Sequence, residues 1–280
     1  MDYEPIKGRL ARLLLRRPWI QRLLFLLSRQ VFLRELEVRR ALRRLAREGF
    51  RPRRILDAGT GYGQYALALR AHFPEAGVLS VDLNPACVER LQDLCAHGGL
   101  DRVETGVADL LEFVPPEPVD LVLNVDVVEH IQDDRLVFRR FAQALAPGGL
   151  LLLHTPAMDN QLSEEEVLRR TPAVGEHARE GYTRDMIRGR LAQAGLEEVG
   201  LRPTYGAAGG VAWWMGVRGP LLALRLGFWT LPLVLAWLVV AILPVRLLNQ
   251  VDLWNSRERG GCWLVLARKP GQPLDTGVEG

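Results

Sequence analysis

Residues 55–63, Ile55-Leu56-Asp57-Ala58-Gly59-Thr60-Gly61-Tyr62-Gly63, decide the fold. An apolar run ends in an acid, passes into glycines at alternate positions, and gives way to a helical pattern over Tyr62–Phe73. Glycine here lets backbone approach a ligand where any side chain would clash, beside the amino terminus of a helix. Gly77–Asp82 then reads as a second strand that ends in another acid. Pro85 is placed to begin the next helix, which runs to about His97. A carboxylate at the end of that second strand, Asp82, is positioned to accept from both hydroxyls of a ribose.

Reading outward, the alternation continues. Arg53–Ala58, Arg102–Val107 and Val119–Asn124 read as strands, and a helix follows from about Asp133 to Leu145. Pro147-Gly148-Gly149 reads as a turn into the all-apolar strand Leu150–His154. The helix Arg184–Gln193, stopped by Gly195, precedes a strand near Glu198–Tyr205, and Cys262–Ala267 is a credible last strand. Strands alternating with helices imply a parallel sheet with right-handed crossovers, covered on both faces where strands are uniformly apolar.

Five segments, 55–63, 80–85, 108–113, 120–131 and 145–156, read ILDAGTGYG, SVDLNP, ADLLEF, DLVLNVDVVEHI and LAPGGLLLLHTP. In order and spacing they resemble the class I S-adenosylmethionine-dependent methyltransferases, in particular the ubiquinone and menaquinone biosynthesis group. The resemblance covers roughly residues 50–205 and the last strand. It implies an α/β, Rossmann-like, mostly parallel seven-stranded sheet, with the sixth and seventh strands paired antiparallel at one edge. It also implies S-adenosylmethionine as cofactor. Asp57, Gly59 and Gly61 would line its methionine end, and Asp82 would bind the ribose with Leu83 near the adenine. Asp109 would meet the adenine amino group, Leu110 would meet its ring, and Asn124 and Val125 would close the pocket.

Methyl transfer from a sulfonium needs an in-line nucleophile more than acid–base help, but a hydroxyl acceptor must lose its proton. Two histidines are candidates for that base. His130 follows the fourth strand, at the carboxyl edge where open α/β sheets bind substrate, and His177 lies in the loop after the fifth. In the quinone O-methyltransferases the matching Glu-x-x-Glu-His segment is associated with a divalent metal. Asp126, Glu129 and His130 keep those donor types, so a metal there is one implication. The other is that Glu129-His130 caps the loop and contacts cofactor.

The charge is uneven. Residues 1–54 hold 16 Lys+Arg against five Asp+Glu, whereas the whole chain carries only +3. Leu, Trp and Phe stand in blocks between these arginines, which favours an anionic membrane surface over nucleic acid. Residues 5–48 read as helix, with Pro18 as the break between two segments. The three cysteines, with no CxxC spacing, suit a reducing cytosol and argue against a disulfide framework or zinc site. No signal peptide is evident at the start.

Between the last two strands the composition changes. Leu226–Val245 is a run of 20 residues without charge, of membrane-spanning length. A single crossing would strand the last β-strand on the wrong side, so the insertion must return. Val211–Leu226 and Leu233–Leu248 are therefore expected as a helical hairpin lying in one leaflet, with Gly227 and Pro232 at its turn. An apolar lid, a dimer interface and two true spans are the other readings. The expected organisation is a basic amphipathic helical arm (1–48), the S-adenosylmethionine-binding domain (49–208), the apolar membrane-associating insertion (209–255), the last strand (256–270) and a disordered tail (271–280). The whole reads as a monotopic enzyme on the cytoplasmic face of a membrane that methylates a lipophilic acceptor, such as a quinone or polyprenyl precursor or a lipid, preferably at oxygen. Nucleic acid is not expected as a partner. The alternatives are a non-catalytic cofactor-binding scaffold at a membrane, and a protein or nucleic-acid methyltransferase using the basic arm.

Overall fold

The computed structural model describes residues 18–98, 100–170, 178–255 and 258–271. Seven strands form its sheet: β1 (Arg54–Ala58), β2 (Gly77–Asp82), β3 (Val103–Val107), β4 (Val119–Val125), β5 (Leu145–Pro156), β6 (Glu197–Thr204) and β7 (Cys262–Arg268). Their order across the sheet is β3-β2-β1-β4-β5-β7-β6. The first five pair in parallel, and β7 runs antiparallel to both β5 and β6. This is the sheet expected from the sequence. The Pro147-Gly148-Gly149 turn differs: it is absorbed into β5 as an irregularity, with Leu145 opposite Val119 and Leu150 opposite Leu121.

Helices cover both faces. On one, α5 (Asp134–Ala144) and α7 (Arg184–Gln193) bury Phe138, Phe141 and Ile187 against Val122, Leu151 and Val265. Asp133 caps α5 by accepting from the Leu136 amide at 3.0 Å. A short α6 (Glu164–Arg170) that the apolar periodicity did not reveal is capped by Ser163 and Glu166, which bond reciprocally.

On the other face lie α3 (Gln64–His72), α4 (Pro85–Gly98) and part of the basic amino-terminal stretch. Among the described residues that stretch divides at Phe32; Pro18 begins α1 (Pro18–Val31), and the segment expected before it lies outside the described residues. α2 (Leu33–Arg47) places Val38, Leu42 and Leu45 in the same cluster as Ile55, Leu121, Leu152 and Leu264. Both Val38 and Leu42 are fully buried, and truncating such a leucine costs about 2–5 kcal/mol. Residues 33–47 of the expected basic arm thus form a helix that packs on the sheet, with Arg40, Arg43, Arg44 and Arg47 on its exposed side.

After β6 the chain leaves the sheet as α8 (Ala207–Trp213), a π turn (Trp214–Arg218) and α9 (Gly219–Arg225). It turns through Gly227, at φ +132°, and a 3-10 turn (Phe228–Thr230), then returns as the 24-residue α10 (Leu231–Trp254). Two helical arms joined by a turn therefore lie between β6 and β7. Ala212, Ala241 and Val245 are buried between these arms, and Trp237 donates its indole N–H to the Met215 carbonyl at 2.9 Å. At their base the Asp252 carboxylate accepts from the Gly209 amide at 2.9 Å, and Asn249 donates to the Val31 carbonyl at 3.2 Å. The expected tail lies, from residue 272 onward, outside the described residues.

Candidate active site

The strand pairing brings the singled-out residues to one edge. Asp57 stands opposite Ser80 on β2 and Leu123 on β4, while Asp82 stands opposite Val107 on β3. The carboxyl ends of β1, β2, β3 and β4 therefore present the glycine loop, Asp82, Asp109 and Asn124 together.

Gly59 adopts φ +80°, and a Cβ there would lie 2.4 Å from Val127 Cγ2, so no other residue fits. The Gly59 and Thr60 amides both donate to the Val81 carbonyl at 2.9 Å, which seats the loop on β2. Gly61, at φ +53°, faces open space instead. Its amide donates to Asp82 Oδ2 at 2.8 Å, and the Asn84 amide donates to Asp82 Oδ1 at 2.9 Å. Leu83, beside it, is 68% exposed.

Asp57, expected at the methionine end of the cofactor, is only 2% exposed. It lies buried beneath the loop, where Oδ2 accepts from the Thr60 hydroxyl at 2.6 Å and the Ser80 hydroxyl at 3.3 Å. Burial pushes its carboxyl up to about 6, against those two hydrogen bonds. Its visible role is to hold the loop's shape. Leu110 and Val125 are also buried, and Asp109 accepts from the Leu111 amide at 2.9 Å. Asn124 donates to the Ala58 carbonyl at 2.9 Å, and its buried Oδ1 has no partner.

These features fit a nucleoside-sulfonium cofactor. The loop is open where backbone must approach, an acid closes the second strand, an exposed leucine adjoins it, and an orphaned acceptor underlies the pocket.

Beyond β4 a second cluster forms. Asp126 leaves the strand at φ +53°. Its Oδ1 accepts from His154 Nδ1 at 2.7 Å, and its Oδ2 accepts from Arg34 at 2.5 Å. Burial opposes the charge on Asp126, but His154 and Arg34 more than offset it and hold the carboxyl well below the ordinary range. Glu129, also buried, accepts from the Thr155 hydroxyl at 3.1 Å. Burial, then the charge of Asp126, pushes it up to about 8. The Arg34 amide donates to the Tyr205 hydroxyl at 3.1 Å, next to the hairpin's root.

His130 is exposed, on a 3-10 turn (Val128–His130) at this edge. The buried Arg179 guanidinium braces that turn by donating to the carbonyls of Val128, Ile131 and Gln132. His177 lies outside the described residues. The metal set Asp126, Glu129 and His130 does not assemble: Asp126 is committed to His154 and Arg34, Glu129 is buried, and His130 faces solvent. Among the described residues no group of three His, Cys, Asp or Glu side chains is arranged to hold a metal ion.

Three residues of the site were not anticipated. Gln21 of α1 is buried and donates to the Tyr62 carbonyl at 2.6 Å, so α1 braces the glycine loop. Arg34 is one of 16 basic residues in its stretch, with nothing to distinguish it. His154 ends a strand at the carboxyl edge, and that position was the available signal.

A family profile described as a methyltransferase domain matches residues 29–200, which includes all of α2. A trans-aconitate 2-methyltransferase of Methylobacterium radiotolerans is 31% identical over 123 residues, 44% of this chain and 45% of that protein. A malonyl-[acyl-carrier protein] O-methyltransferase of Hahella chejuensis is 33% identical over 120 residues, 42% of each. The chain thus spans less than half the length of these curated relatives. Neither is a quinone methyltransferase, so the resemblance holds at the level of the class. The fold is shared with the O-methyltransferase of a Brevibacillus brevis trans-AT polyketide synthase, solved with S-adenosyl-L-homocysteine (TM-score 0.57, 16% identity, covering 85% of this chain and 73% of that one). It is shared as well with the [4+2]-cyclase SpnF (TM-score 0.56, 18% identity, 83% and 81% covered).

Proposed function

The chain belongs to the methyltransferase-domain family, S-adenosylmethionine-dependent enzymes of class I, and on that premise we propose that it methylates a lipid-soluble acceptor, at oxygen, from the cytoplasmic face of a membrane. When bound, S-adenosylmethionine supplies a methyl group on a sulfonium centre. The chain's own part is to hold and aim. The Gly59–Gly61 backbone admits the cofactor, and Asp82 holds the ribose with Leu83 beside the adenine. Asp109, Leu110, Asn124 and Val125 complete the pocket. His130, exposed on its braced turn, takes the acceptor's proton, and the Arg34–Asp126–His154 cluster fixes the rim.

The observation that carries the membrane reading is the outer face of the hairpin. α10 has a mean hydropathy of 2.4 over its most apolar window, yet only 17% of that window is buried. Val239 is 76% exposed and Val240 70%, with Leu233, Leu243 and Leu247 beside them. Contiguous apolar surface of this kind marks a site for membrane or partner. The hairpin roots beside Tyr205, whose hydroxyl accepts from the Arg34 amide, so a membrane-bound hairpin would hold the site's rim close to lipid.

Vesicle flotation tests the reading. Val239→Glu with Val240→Glu and Leu243→Glu should leave the fold intact, because all three side chains are exposed, and abolish flotation. Undiminished flotation of this triple variant would overturn the membrane reading.

A further inference from the structure

Outside the cofactor site, a cleft of about 1280 Å³ opens between α2, the carboxyl-terminal half of α10 and the end of the sheet. Its floor is apolar, with half-buried Leu266 beside the buried Leu152 and Leu264, and its walls carry eight arginines against one acid, Glu48. Four of the arginines are occupied by the protein. Arg39 pairs with Glu35 at 3.3 Å, Arg44 with Glu48 at 2.6 Å and Arg202 with Glu37, while Arg40 donates to the Leu253 carbonyl. Arg29, Arg43, Arg47 and Arg246 have no acidic partner among the described residues. The Nε of Arg29 is buried without a hydrogen-bond acceptor. The field is felt nearby: burial, and then Arg39, Arg43 and Arg29, push the His72 imidazole below its ordinary value.

Such a site takes an anion with an apolar body. Arginines unpaired at a concave wall are matched by phosphate oxygens, which accept from the guanidinium fork in pairs. The half-buried Leu266, beside the core leucines under α2, gives the cleft an apolar floor that suits hydrocarbon. Arg246 and Trp254 of the cleft belong to the second half of α10, whose exposed apolar face runs along the whole helix, from Leu233 through Val239 and Val240 to Leu247 and Val251. About 36 Å of helix, at 1.5 Å per residue, separates the two ends. A hairpin whose tip lies in hydrocarbon would bring its root, and with it the cleft, to the depth of the headgroups.

We propose that this cleft is a binding site for an anionic phospholipid of the same membrane, its phosphate held by Arg29, Arg43, Arg47 and Arg246 and its glycerol end resting on the leucine floor. The proposal rests on the reading that the hairpin enters a bilayer. It goes further in naming a discrete site, rather than diffuse surface charge, and the lipid class that fills it.

Binding of the full-length protein is measured to vesicles of phosphatidylcholine alone and of phosphatidylcholine mixed with phosphatidylglycerol. The wild type is expected to bind both and to prefer the mixture. Arg43→Gln with Arg47→Gln and Arg246→Gln should lose that preference, at roughly fivefold per arginine and about 100-fold in all, while still binding the neutral vesicles. A control variant removes three exposed arginines on the opposite face of the sheet: Arg139→Gln, Arg169→Gln and Arg170→Gln. It should keep the preference. Unchanged S-adenosylmethionine affinity in both variants shows that they are folded. Equal wild-type binding to the two vesicle types would overturn the cleft, as would a preference that survives the cleft variant or falls equally in the control. Failure of the wild type to bind either vesicle would overturn the membrane reading instead.

Discussion

Arg34 and Asp126, 92 positions apart in the chain, are joined by an ion pair of 2.5 Å. The contact ties α2 to the exit of β4, and the other oxygen of Asp126 ties β4 to His154 at the end of β5. Three elements that the sequence separates are thus held at one edge by a single carboxylate. These bonds offset the modest cost of holding Asp126 at φ +53°, in the left-handed region.

Asp126→Asn should therefore destabilise the fold by about 2–4 kcal/mol at neutral pH, because Arg34 loses its charged partner and the one remaining amide oxygen cannot serve both donors. The pH dependence has a definite sign. The folded carboxyl is depressed, so its contribution is fully present above the ordinary value, about 3.9, and is lost as the pH falls below it. Urea unfolding at pH 6 and pH 3.5 should show the wild type losing more stability than the variant. An equal loss in both would contradict the network.

Glu129 has the opposite slope. Its folded value is raised to about 8, so the folded state holds a proton that the unfolded chain releases near 4.3. Stability should fall as pH rises through that interval, by a few kcal/mol in order of magnitude. Glu129→Gln should flatten the curve and exceed the wild type in stability at pH 9. A variant with the wild-type slope would show that Glu129 is charged in the fold.

At the cofactor loop, Asp82→Asn should weaken S-adenosylmethionine binding by about 10–100-fold in calorimetry with little change in melting temperature. Asp82 is half-buried and the Gly61 amide can still bond an amide oxygen, so the loss reports on ligand contacts rather than on the fold. Full retention of affinity would remove Asp82 from the cofactor site.

His130→Ala separates the proposed base from a loop cap. The turn is held by Arg179 and by the Tyr182 hydroxyl, which donates to the Val128 carbonyl at 3.2 Å, so it should survive the change. Turnover should fall by roughly 100–10,000-fold with cofactor affinity intact. Unchanged turnover would sink the catalytic role.

The sheet was legible because its signal is local: apolar runs broken by Gly, Pro and acids state both strand identity and order. The cofactor edge was legible for the same reason, since Gly59, Asp82 and Asn124 sit at strand ends that the pattern locates. Arg34 was not. Nothing within α2 separates it from its neighbouring arginines, and its meaning comes from a partner on β4. The role of α2 was obscured too, because its arginines outweigh its few apolar positions in any reading by composition. For Asp57, type and position marked it as part of the loop, but only packing shows its bonds to Thr60 and Ser80 beneath it. For the hairpin, the need to return to β7 was a topological argument, and Asp252 and Asn249 at its base were invisible to it.

The central claim, a methyltransferase that reaches a lipid-soluble acceptor through its apolar hairpin, is tested most directly by following label. The protein is incubated with S-adenosylmethionine carrying a radioactive methyl group and with vesicles of total cell lipid, and the mixture is then partitioned between organic solvent and water. The account predicts label in the organic phase with the wild type and its loss in the Val239→Glu, Val240→Glu and Leu243→Glu variant. Label confined to the aqueous phase, with small carboxylic acids serving as acceptors equally well in both proteins, would contradict it.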